Sequence, residues 1–85
     1  MSTRISVEIS LYPLTPDYKP AIRDFIARLR ANDKLTVVSN TMSTQIQGDY
    51  DEVWDTLKRE MRPNLSGAYR VVFAAKFMAP AEKGL

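Results

Sequence analysis

Between Ile5 and Tyr12 the chain alternates without a slip: Ile5, Val7, Ile9 and Leu11 take one parity, while Ser6, Glu8, Ser10 and Tyr12 take the other. A period of two commits the segment to a β-strand with one buried and one polar face. Slipping such a strand by one residue would turn its whole apolar set to water, so its register is tightly specified. The remaining chain must therefore supply a layer that covers Ile5, Val7, Ile9 and Leu11.

Two helical patterns can provide it. Pro13 and Pro16 end the strand, Asp17 is placed to cap a helix, and Pro20 is tolerable in a first turn where its missing N–H needs no partner. Tyr18, Ile22, Phe25, Ile26 and Leu29 then recur at spacings of four and three and form one apolar stripe. Asn32-Asp33-Lys34 breaks this helix. The basic residues Arg28, Arg30 and Lys34 read as a solvated face rather than a phosphate footprint. The second pattern carries Tyr50, Val53, Trp54, Leu57 and Met61 behind an Asp49 cap. Acidic Asp51 and Asp55 lie near its positive end, and Lys58, Arg59 and Arg62 near its negative end. Pro63 is expected to stop that helix and Asn64–Gly67 to form a loop.

Between and after the helices lie strands. Leu35–Thr41 is rich in β-branched residues, and Ser43–Gln47 is short and polar, so the two read as a hairpin turning near Thr41–Ser43 and closed by Gly48. Tyr69–Phe77 is apolar on both parities, the pattern of a strand covered on both faces. The order β-α-β-β-α-β predicts an α+β, ferredoxin-like sandwich: a four-stranded antiparallel sheet with both helices on one face. One domain over residues 1–78 with a C-terminal tail over 79–85 follows. The other sheet face would carry either Val72 and Ala74 or Phe73, Ala75 and Phe77, so pairing of two sheets is expected.

Composition narrows the chemistry. Among 85 residues there is no His and no Cys, which removes the commonest general base, the thiolate nucleophile and nearly every structural zinc site. No cofactor or metal is implied. Asp49, Asp51, Glu52 and Asp55 lie where a cap and first helical turns favour acidic residues without any ion. The charge of +2 is too small to imply a nucleic-acid partner. Met1-Ser2-Thr3-Arg4 carries no apolar leader, and no run approaches the roughly 18 residues of a membrane span. A cytoplasmic protein without membrane contact is expected. So small a core also favours oligomerisation.

A ligand site is suggested on the polar parity of the first strand. Glu8, Ser10 and Tyr12 stand in a row on a central strand, where a carboxylate beside apolar neighbours needs a partner or a ligand. The stretch Ser39-Asn40-Thr41-Met42-Ser43-Thr44-Gln45 should lie near, with hydroxyls and amides of both hydrogen-bonding polarities.

The runs Val7-Glu8-Ile9-Ser10-Leu11-Tyr12-Pro13-Leu14 and Asn40-Thr41-Met42-Ser43-Thr44-Gln45-Ile46-Gln47-Gly48-Asp49-Tyr50-Asp51-Glu52-Val53 resemble the YkoF-like thiamine-binding family. The likeness extends to about Met78, and its most specific string is the Asn-x-Met-x-Thr hairpin followed by Gly-Asp-Tyr-Asp. It implies a non-catalytic ferredoxin-like domain that binds thiamine or its hydroxymethylpyrimidine portion, as a homodimer or homotetramer with paired sheets. Strand parity and the resemblance together assign Glu8 to the ligand's amine or cation. They assign Ser10, Asn40 and Thr44 to its polar edge, and Met42 and Tyr12 to packing. Whether a second chain completes the site stays open at this level. The competing reading is an interaction or regulatory domain that assembles through its sheet and binds no vitamin.

Overall fold

The computed structural model describes residues 3–79. Its elements are β1 (Arg4–Pro13), α1 (Lys19–Arg30), β2 (Thr36–Ser39), β3 (Thr44–Asp49), α2 (Tyr50–Leu65) and β4 (Val71–Met78). The strands form one antiparallel sheet in the order β2-β3-β1-β4. This is the expected ferredoxin-like βαββαβ arrangement. The expected tail lies outside the described residues from residue 80 onward.

The alternation in β1 does what its period requires. Val7, Ile9 and Leu11 are buried together with Phe25 and Leu29 of α1, Ile46 of β3, and Val53 and Leu57 of α2. Directly opposed residues of an antiparallel pair share a face. Ile9 opposite Thr44 and Ala75, and Leu11 opposite Phe73, therefore belong to the helix side, while Glu8 opposite Gln45 and Lys76 belongs to the open side. The ambiguity in β4 resolves with them. Val72, Ala74, Lys76 and Met78 take the open face, and Phe73, Ala75 and Phe77 the helix face. Within a single chain β4 is nevertheless mostly exposed, half-buried only at Val71 and Phe73.

Several local expectations are corrected. Asp17 does not cap α1: the cap position is Tyr18, which makes no side-chain cap bond, and Pro20 sits in the first turn. Pro63 does not stop α2 but lies inside it, and Asn64 and Leu65 are helical rather than loop. The helix is already within a turn of its end there, and both the amide and the hydroxyl of Ser66 bond the Arg62 carbonyl. Arg28 is not solvent-facing. It falls at the flank of the buried stripe, three residues after Phe25, and its Nη2 donates to the Glu60 carbonyl at 2.9 Å and to Asn64 Oδ1. Asn32 makes a second tie between the helices, its amide donating to Glu52 Oε2 at 2.7 Å and to the buried Thr56 Oγ1 at 2.9 Å. The Asp49 cap is present, accepting from the amides of Asp51 and Glu52.

Gly48 sits in close quarters at the β3–α2 junction, against side-chain ends that would have to shift for a larger residue. A Cβ there would stand 2.7 Å from Leu35 Cδ2 and 3.3 Å from Val53 Cγ2. Gly48→Ala is expected to lower stability by about 1–3 kcal/mol through overpacking of the β3–α2 junction, measured by urea unfolding.

Candidate functional site

The two ladders on β1 have different lengths. Pairing with β3 ends at Ile9 opposite Thr44, whereas pairing with β4 continues to Pro13 opposite Val71 and is extended by the Leu14 amide donating to the Arg70 carbonyl at 2.9 Å. Ser10–Pro13 thus projects beyond the start of β3, paired on one side only. The β2–β3 hairpin lies across the gap and the first turns of α1 close it below. The result is a cleft of about 480 Å³ between Ser10–Leu14, Asn40–Thr44 and the α1 side chains Ile22, Phe25 and Ile26.

The turn of the hairpin is shaped by the Asn40 side chain. Asn40 Oδ1 accepts from the backbone amides of Met42 at 2.8 Å and Ser43 at 3.1 Å, and the backbone N–H of Asn40 donates to the Ser43 carbonyl. Such local side-chain bonding is the turn-forming use of Asn. It commits the amide oxygen to the turn and leaves the NH₂ group as the side chain's donor. At the hairpin base, the buried Thr44 Oγ1 lies 3.0 Å from Ser39 Oγ, and either can be the donor. Met42 stands at the tip, 85% exposed.

Five of the six residues singled out in the sequence line this cleft: Ser10, Tyr12, Asn40, Met42 and Thr44. They reach it from different faces. Ser10 and Tyr12 belong to the open parity and Thr44 to the helix parity, and they meet because the cleft lies past the end of the β1–β3 ladder. Glu8 is not among them. It lines a smaller depression on the open face with Ser6, Gln45, Gln47, Lys76 and Met78. Its Oε2 accepts from Ser43 Oγ at 3.1 Å, and Lys76 Nζ lies 3.9 Å from Oε1. Both charged groups are well exposed, so this pair contributes little to stability. Ser43 lines the cleft, and so connects Glu8 to it at one remove.

Sequence reasoning missed Ser39 and Ser43 as individual participants, and the aromatic and aliphatic wall of Tyr18, Ile22 and Phe25. The signal for Ser39 is the hairpin register, which places it opposite Thr44. A second groove of about 520 Å³ runs between α2 and β4, where Trp54 stacks on Phe77 with ring centroids 4.6 Å apart, beside Leu57, Met61 and Phe73.

These features define a ferredoxin-like α+β domain with a cleft at the open end of its sheet. Residues 4–78 match the YkoF-related family, and the chain belongs to that family. Among solved structures, a Methanocaldococcus jannaschii protein of unassigned function is 26% identical with a TM-score of 0.79, covering 92% of this chain and 81% of that one. A Thermotoga maritima protein provisionally described as a thiamine biosynthesis/salvage protein is 19% identical with a TM-score of 0.78, covering 95% of both chains. A Streptococcus pneumoniae protein is 23% identical with a TM-score of 0.79, covering 96% of this chain and 92% of its own. The likenesses at 19% and 23% identity are likenesses of fold. No curated protein matches the chain significantly.

Thr44→Val keeps the side-chain volume and removes the hydroxyl partner of Ser39. It is expected to cost about 1 kcal/mol in chemical unfolding. Combining it with Ser39→Ala should add less than the single Ser39 change costs alone, because the two hydroxyls are one interaction.

Proposed function

We propose that the chain is a non-catalytic binding protein for thiamine or its hydroxymethylpyrimidine portion, acting in the cytoplasm as a homo-oligomer. The observation that carries the reading is the cleft at the end of β1. Its volume of about 480 Å³ lies within the range of about 300–1,000 Å³ usual for small-molecule sites. Its lining pairs an apolar wall of Ile22, Phe25 and Tyr12 with hydroxyls at Ser10, Ser39 and Thr44. A flat aminopyrimidine presents an amine donor and ring-nitrogen acceptors, and hydroxyls can answer either. Tyr12 and Met42 supply surfaces for its ring, and Asn40 a donor at its edge. The absence of His and Cys from the sequence suits a protein that holds a ligand without converting it. Membership in the YkoF-related family and the provisional thiamine assignment of the Thermotoga maritima protein point the same way.

A second copy is proposed on the open sheet face. Val72, Met78, Tyr12 and Val38 all lie there and each is about half exposed in the single chain. Covering them gives a homodimer, or a homotetramer if a further surface is used. The competing reading, an interaction or regulatory domain that assembles through its sheet without a vitamin ligand, draws on the same exposed face. It predicts no ligand response at all.

Thiamine and hydroxymethylpyrimidine should raise the melting temperature with increasing concentration, because a ligand specific for the folded state stabilises it by mass action. Calorimetric titration should show the Tyr12→Ala, Thr44→Val double variant binding at least about tenfold more weakly. Unchanged affinity would remove the cleft as the site. Val72→Asp places a charge on the open face and should shift the protein to monomer in light scattering after size exclusion.

A further inference from the structure

β4 is the least supported strand of the sheet. It pairs with β1 on one side, and among the described residues no strand lies on its other side. It is also long for an edge, with eight residues against four in β2 at the opposite margin. Exposed edges are usually blunted by shortness, by Pro, by charge or by a bulge. β2 is short, but Val71–Met78 has no Pro, carries one charge at Lys76 and keeps an unbroken register against β1. Its side chains are apolar on both parities, yet Val72, Phe77 and Met78 stay about half exposed. On the helix side, Phe73, Ala75 and Phe77 form the outer wall of the apolar groove beneath α2.

We infer that β4 pairs antiparallel with β4 of a second copy, joining two four-stranded sheets edge to edge. This contact is additional to the packing of open faces proposed above, and no ligand takes part in it. Symmetry limits the register. Antiparallel copies joined at one edge are related by a two-fold axis perpendicular to the sheet, which keeps both helix layers on one side. Directly opposed residues share a face, so the axis passes through a residue of β4 and not between two. Centring on Lys76 sets two like charges opposite each other, which is destabilising. Centring on Ala74 sets Val72 against the partner's Lys76 and Phe73 against the partner's Ala75. Centring on Ala75 sets Phe73 against the partner's Phe77 on the helix face, and Val72 against the partner's Met78 on the open face. Of these registers only the last opposes aromatic to aromatic while keeping the lysines apart, and centres nearer either end pair fewer residues. It also carries the partner's Trp54, stacked on its own Phe77, toward Phe73, so the two α2–β4 grooves meet across the axis and cover each other. Asp55 and Lys58 line that groove with opposite signs, so an antiparallel copy of α2 offers each a counter-charge. Each chain has one such edge, and the contact closes at two copies.

The chain has no Cys, so single cysteines report the register. Directly opposed Cβ atoms lie about 4.5–5.5 Å apart, within reach of a short bismaleimide. In the purified chain without ligand, Ala75→Cys is expected to cross-link the bulk of the protein into covalent dimers on denaturing gels. Val71→Cys, far out of register with its own copy, and Thr36→Cys on the β2 edge should stay largely uncross-linked. Equal cross-linking at Ala75 and Val71, or none at Ala75 in a folded variant, overturns the inference. Val72 belongs to both proposed contacts, whereas Ala75, on the helix face, belongs to the edge alone. Ala75→Lys sets two charges at the axis and is expected to halve the mass in light scattering, and an unchanged mass counts against the pairing. Should the variants fail to fold, amide hydrogen exchange of the unaltered protein decides. Protection along 71–78 should rise with protein concentration. Exchange independent of concentration leaves the edge to an extended segment of another protein and overturns self-pairing. None of these outcomes touches the pyrimidine reading, since no ligand enters the measurements.

Discussion

The unequal reach of the two ladders on β1 is the constraint on which the site depends. A central strand in a four-stranded sheet would ordinarily be paired on both edges along its length, and a continuous sheet leaves no gap at its end. Here the β3 ladder stops at Ile9 while the β4 ladder continues to Pro13. The core fixes that difference. Val7 and Ile9 are almost wholly buried against both helices, so β1 cannot slide, and Ile46 and Gly48 lock β3 between β1 and the α2 junction. With both strands immobilised by packing, the projecting end of β1, the hairpin and α1 leave a cleft between them.

How much of this is legible in the sequence depends on the range of the interaction. The β1 alternation, the helical stripes and the Asp49 cap are local periodicities or short-range bonds, and they appear in the structure, except that Tyr18 precedes α1 and Tyr18, Tyr50 and Trp54 of the stripes stay about half exposed. Where the competing interactions were non-local, the local reading failed. Arg28 looks like a solvated cation until α2 brings Glu60 and Asn64 alongside it. Pro63 looks like a terminator until the nearness of the helix end is known. The same distinction runs through the site. Parity correctly groups Glu8, Ser10 and Tyr12 on one face, but the ladder end divides them: Ser10 and Tyr12 line the cleft and Glu8 does not. Thr44 joins them from the opposite parity. No periodicity within a single strand encodes where a neighbouring strand stops.

Asn40 shows why a cleft-lining residue and a structural residue need not be separate things. Its oxygen accepts both amides of the turn that carries Met42 and Ser43. The wall facing Ser10 is therefore shaped before any ligand arrives. A ligand that meets an ordered hairpin does not bear the cost of ordering it, which is the physical content of preorganisation. Loss of the Asn40 side chain would remove that order as well as any direct contact, so its effect on affinity would combine two causes. Tyr12 is a cleaner reporter, since it makes no bond within the hairpin.

The cleft and the proposed assembly surface are not independent. Ser10 and Tyr12 belong to the same parity as Val72 and Ala74, the directly opposed residues Ser10 with Ala74 and Tyr12 with Val72. A second copy seated over the open face would therefore reach the rim of the cleft at Tyr12. If its presence there narrows the cleft's mouth, ligand and partner each favour the state the other binds. Linkage then requires that ligand tighten assembly by the factor by which assembly tightens ligand binding. The small core supplies the reason such coupling can matter: a domain of this size has little stability to spare, so each association that favours its folded form shifts its population appreciably.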